Sequence, residues 1–219
     1  MAIYEHGLLG PIQGKVGPTV GTNWRGIHYM RSLAEKSKKP ATEKQLATRL
    51  KFKMASKFLT PMRDIIRIFP KGKTNIRKTD FNEAASIIIK NIKGEYPNFT
   101  IPFEEAVFTR GSLMGVFPSV EVVDDVGIKV SWSTRLGRGA SYNDEINILV
   151  FDSGRDDYYH LKDSIRSDGE KIITLEGVNE GIFHVWTFVS SSNDLERSNS
   201  RYCGMCELKA IEVLEQDSK

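Results

Sequence analysis

Six glycines, at 7, 10, 14, 17, 21 and 26, and two prolines, at 11 and 18, crowd the start of the chain. Glycine and proline are the weakest helix formers, so this stretch excludes a helix. Ile12, Val16, Pro18, Val20, Thr22 and Trp24 share one parity, while Gln13, Lys15, Thr19, Asn23 and Arg25 share the other. A period of two reads as an extended strand with one apolar face. The expectation is a β ribbon that presents Ile12, Val16, Val20, Trp24 and Tyr29 to a neighbouring molecule as an assembly interface. A structureless glycine-rich tail is the competing reading, and Trp24 and Tyr29 weigh against it.

Helical signals follow. Thr42 and Gln45 have the spacing of a capping box, and Leu46, Leu50, Met54, Phe58 and Met62 recur every four residues behind it, up to a break at Pro61. A second helix is predicted from Thr79 or Asp80, with Asp80 and Glu83 in capping-box-like spacing, through Ile92 to a stop at Gly94. Both are short enough to need support, from each other or from a sheet edge. From Ser119 the texture changes to short β runs divided by Gly, Asn, Asp and Ser, with strands predicted near 119–123, 127–133, 145–151, 170–175, 181–190 and 202–213. Alternation points Trp132 inward, along with Ile146, Ile148 and Val150.

Trp132 in the second strand, the apolar third strand, Leu175 at a strand end and the run Ile182–Phe188 after Gly181 together resemble a fibronectin type III domain. That resemblance implies a spacer or binding role without catalysis. The arm from Gly10 to Tyr29, the Thr42, Gln45, Arg49, Lys51, Phe52 helix start, and Arg110-Gly111-Ser112-Leu113 resemble an uncharacterised Bacteroidetes family, a domain of unknown function. It implies no activity. The expected architecture is α+β: an extended arm over 1–40, a helical region with a short strand over 41–117, a fibronectin-III/Ig-like antiparallel β-sandwich over 118–214, and a tail over 215–219.

Charge divides unevenly. Residues 1–100 hold 19 Lys and Arg against 7 Asp and Glu, and residues 101–219 hold 12 against 21, for net charges of +12 and −9. Opposite halves favour head-to-tail contact between copies, or attraction of nucleic acid to the basic half through Lys44, Arg49, Lys51, Lys53, Lys57 and Arg63. No apolar run approaches the ~18 residues of a membrane span. The first residues lack a charged leader followed by an apolar stretch, so synthesis in a cytoplasm is expected, with a virion or an extracellular assembly as a later setting.

Catalytic and cofactor motifs are weak. Gly10 to Val16 has the wrong spacing for a phosphate loop, and no Gly-x-Ser-x-Gly elbow occurs. Cys203 and Cys206 form a lone pair expected on opposite faces of a strand, and His6, His28, His160 and His184 are scattered. Asp152 to Asp157 reads as a solvated turn. No catalytic, cofactor-binding or metal residues are expected. The function expected is that of a structural subunit, a homo-oligomer or part of a larger phage-tail-like or filament assembly, docked by strand addition. Alternatives are a nucleic-acid-binding protein and a glycan-binding or adhesive module using Tyr158 and Tyr159.

Overall fold

The computed structural model describes residues 2–3, 12–24, 26–35, 39–68, 79–123, 127–137, 139–174 and 180–208. Leu175, the 36–38 linker and the far end of the predicted last strand lie outside them. Antiparallel sheets dominate, with two α-helices, an α+β arrangement. The chain divides into two compact units, Met1–Leu46 with Asn75–Arg77, and Ala47–Thr74 with Lys78–Lys219.

The first unit is a four-stranded antiparallel sheet of β1 (Ala2–Ile3), β2 (Gly14–Val16), β3 (Thr19–Trp24) and β4 (Ile27–Ser32), in the order β1-β4-β3-β2. The arm is therefore a meander and not one ribbon, because Gly17, at φ +57°, turns the chain after Val16. Gly26, at φ +83°, serves the next hairpin, where its N–H donates to Asn23 Oδ1 at 2.9 Å.

The second unit holds the helices α1 (Glu43–Leu59, entering from the first unit) and α2 (Asp80–Asn91), a small hairpin of β5 (Lys93–Glu95) and β6 (Asn98–Thr100), and seven longer strands. β7 (Pro118–Val123), β8 (Gly127–Trp132) and β11 (Glu170–Thr174) form one sheet in the order β11-β8-β7. β9 (Glu145–Asp152), β10 (Asp157–Ile165), β12 (Gly181–Ser190) and β13 (Arg201–Leu208) form the other, in the order β10-β9-β12-β13. Ile128, Val130, Trp132 and Ile173 from the first sheet meet Ile146, Ile148, Val150, Phe183, Val185 and Val189 from the second in one buried core.

The four-stranded sheet is covered on its other face as well. Leu149, Phe151, Trp186 and Phe188 pack there against Phe58, Leu59 and Met62 from the α1 end, Ala84, Ala85 and Ile88 of α2, and Phe108. The helices thus lie on a sheet face, not on an edge. Burial on both faces removes the alternation from β9 and β12, which read as nearly continuous apolar runs. Only the lower part of the α1 stripe is buried: Phe58 and Met62 are inside, whereas Leu46 is 38% exposed. A four-residue repeat advances about 40° per step on a 3.6-residue helix, so the stripe spirals away from the core.

Candidate functional site

The expected interface residues fall on two faces of the first sheet. Val16 stands opposite Thr19, and Lys15 opposite Val20, so the two-residue turn reverses the parity read from the linear sequence. Val20, Thr22 and Trp24 of β3 share their face with Ile27, Tyr29 and Arg31 of β4. Val16 lies on the opposite face. Ile12 lies there too, its carbonyl and Cγ2 against Gly21, where an added Cβ would stand 2.2 Å from Ile12 O. Glycine is therefore required at 21.

Exposure decides what this sheet can do. Ile12 is 36% exposed, Val16 50% and Trp24 41%, while Val20, Ile27, Tyr29 and Met30 are half-buried. Among the described residues of the sheet only Gly21 is buried, so no side chain whose burial is described is withdrawn from solvent. Beside Val20, Thr22 and Arg31 lies an open hollow of about 420 Å³. β3 lies between β4 and β2, so among the described strands β1 and β2 are the outer ones, where a further strand could add.

The basic helix is partly turned to its own protein. Lys51 Nζ sits 4.7 Å above the Phe99 ring, Arg63 lies 5.1 Å above Phe81, and Lys57 pairs with Asp156. Lys44, Arg49 and Lys53 are exposed. The two tyrosines considered for glycan contact are packing residues. The Tyr158 hydroxyl donates to Phe58 O at 2.7 Å, its ring lies 4.6 Å from Phe151, and burial pushes the phenol well above its ordinary range. Tyr159 packs on the core between the sheets.

Cys203 and Cys206 do not point to opposite faces. A register shift opposite Val185 and Trp186 inserts one extra residue into β13, and both thiols join the core between the sheets. Desolvation pushes Cys203 up to about 12, against a weaker opposing effect of Thr187, and raises Cys206, so neither is a thiolate at neutral pH.

Sequence reasoning missed a polar chain on the covered face of the four-stranded sheet. His160 Nε2 lies 2.9 Å from Asn147 Oδ1, Asn147 Nδ2 donates to Ser190 Oγ at 2.9 Å, and that hydroxyl reaches Glu145 at 3.5 Å. Burial, then Lys162 and Arg197, lowers His160 to about 4. The only hint in the sequence is Asn147 within an otherwise apolar strand. Because the imidazole meets an amide and not the serine, the chain satisfies buried polar groups and does not prepare a nucleophile.

Fold and site together define a class, an α+β protein with antiparallel sheets, two helices packed on a sheet face, and an N-terminal sheet whose described side chains are exposed or half-buried. Residues 11–204 match the model of a family of unknown function, DUF6266, and the chain belongs to that family. No curated protein matches the chain. No helix among the described residues is long and apolar enough to cross a membrane.

Proposed function

We propose that this chain is a non-enzymatic assembly subunit whose N-terminal sheet completes its core on a neighbouring copy. The observation that carries this reading is that this sheet holds no described buried side chain. A small sheet needs a covered hydrophobic face to be stable, and burying one large side chain contributes roughly 1.5–3 kcal/mol. Val20, Trp24, Ile27 and Tyr29, gathered on one face, are the group to be covered. Strand addition falls at the outer strands, β1 and β2, since β3 and β4 each have a neighbouring strand on both sides.

The seven strands from 118 to 208 support the finer reading of a fibronectin-III-like sandwich as the subunit's body. In chain order the first, second and fifth form one sheet, and the fourth, third, sixth and seventh the other. The fourth strand pairs with the third and not the fifth, unlike the immunoglobulin constant arrangement. Opposite charges on the two halves of the chain favour head-to-tail contact, the geometry of rings and of filament or tail-like assemblies.

Sedimentation velocity on the intact protein and on a Val20→Lys/Trp24→Glu variant tests this function. The intact chain is expected to associate as concentration rises, and the variant to remain monomeric with the thermal unfolding of its second unit unchanged. An intact chain that stays monomeric throughout would overturn the proposal.

A further inference from the structure

The helix-side cover of the four-stranded sheet stops short at one corner. Phe103, in the 3-10 helix Phe103–Glu105, lies over β12, its ring 4.1 Å from that of His184 and its carbonyl accepting from Trp186 Nε1 at 3.2 Å. At the start of β12 and the end of β13, Ile182 and Met205 share this face, because His184 stands opposite Met205 and Ile182 opposite Glu207. The two are diagonal neighbours, 43% and 58% exposed. Lone exposed apolar side chains are ordinary on a protein surface, but two within reach of each other carry the apolar face past the end of its cover.

The rim of this strip is acidic. Glu207 faces Ile182 across the strands, Glu104 follows Phe103, and both are exposed. Burial lowers His184 and the charge of Glu104 opposes that shift, so this carboxylate lies near the same corner. Arg155, in the adjoining cleft, already faces Asp152 at 3.8 Å.

The opposite sign stands on the N-terminal sheet. Val20 is opposite both Lys15 and Arg31, so these three lie side by side on the face that also carries Tyr29. Residues 14–32 contain no Asp or Glu. Two such faces laid together would bring Lys15 and Arg31 of each copy into one interface without a carboxylate, which is unfavourable, whereas the acidic corner offers both an apolar strip and the complementary charge.

We infer that the Ile182–Met205 strip is the docking surface for the N-terminal sheet of a second copy, with Val20 and Tyr29 over the strip and Lys15 and Arg31 facing Glu104 and Glu207. The inference rests on the assembly proposed above and names its partner surface. Contact between two different surfaces is heterologous, so each copy keeps one of each kind for the next and the assembly grows head to tail.

Sedimentation velocity on mixed variants tests this. Val20→Lys/Trp24→Glu spoils the sheet and keeps the strip, while Ile182→Lys/Met205→Lys spoils the strip and keeps the sheet. Each alone is expected to be monomeric, and their mixture to form a one-to-one dimer that grows no further, since a single complementary pair of surfaces remains. Thermal unfolding of the strip variant like that of wild type reports an intact fold. Glu104→Gln/Glu207→Gln, confined to exposed side chains, is expected to weaken association roughly two- to tenfold and to flatten its salt dependence. A strip variant that assembles as the wild type does would overturn this inference and leave the proposed function standing, with the sheets then pairing with each other. A mixture that stays monomeric while wild type assembles, or a Gln variant with wild-type affinity and salt dependence, would also overturn it. Wild type that is monomeric at every concentration overturns both.

Discussion

His160 carries a pH dependence that its neighbours determine. Held down to about 4 against an ordinary 6.5, it is neutral in the fold, with burial as the main cause and Lys162 and Arg197 adding to it. The unfolded chain takes up its proton first as pH falls. Its contribution is thus present above pH 6.5, is lost progressively between 6.5 and about 4, and changes no further below that. His160→Gln keeps a donor for Asn147 but does not titrate. Urea midpoints of the variant should fall less steeply than wild type across that interval, and parallel curves would refute the assignment.

Arg166 and Asp144 are the second sensitive pair. They are 0% and 3% exposed, Arg166 Nη2 stands 3.3 Å from Asp144 and donates to Met114 O at 2.6 Å, and Arg166 Nε and Nη1 have no hydrogen-bond partner among the described residues. Removing one member strands a buried charge. Asp144→Ala should therefore cost about 3–5 kcal/mol, while replacing both with apolar residues should cost much less. Chemical denaturation of the single and double variants checks the difference.

Among the elements, the helix starts are the most local. The Thr42 N–H donates to Gln45 Oε1 at 3.1 Å, and the Gln45 N–H donates to Thr42 Oγ1 at 3.4 Å, so the capping box written in the sequence is formed. At α2 the cap is Thr79, whose Oγ1 accepts from Asn82 N at 3.0 Å, and not Asp80. Thr79→Ala should lower stability by about 1 kcal/mol, whereas Asp80→Ala should cost less, a contrast measurable in urea.

These caps were legible because they depend on residues three apart. Six of the seven long strands were legible too, from alternation or from apolar runs bounded by turn residues. β10 was not, because Asp157, Lys162 and Asp163 of this outermost strand are exposed and break its pattern. Its Asp163 pairs with Lys171 of β11 at 2.6 Å, a contact between two sheets that no local pattern encodes. The covered face of β9 and β12 was hidden for a similar reason. Leu149 and Trp186 find their partners in helices far away in the sequence. The interface parity failed at one turn, since a hairpin at Gly17 turns one apparent stripe into two faces.

At the scale of the whole molecule, the two units differ in what holds them. The second has one core between its sheets and another between sheet and helices. In the first, the described side chains are exposed or half-buried, and the halves of the chain carry opposite charge. Covering it with a second copy would slow the local openings that expose its hydrogen bonds. Hydrogen exchange at increasing protein concentration measures this directly at 19–24 and 27–32, with β8 as an internal reference. Exchange in those two strands is expected to slow as concentration rises while β8 stays constant. Rates in β3 and β4 that are the same at every concentration would contradict assembly through the N-terminal sheet.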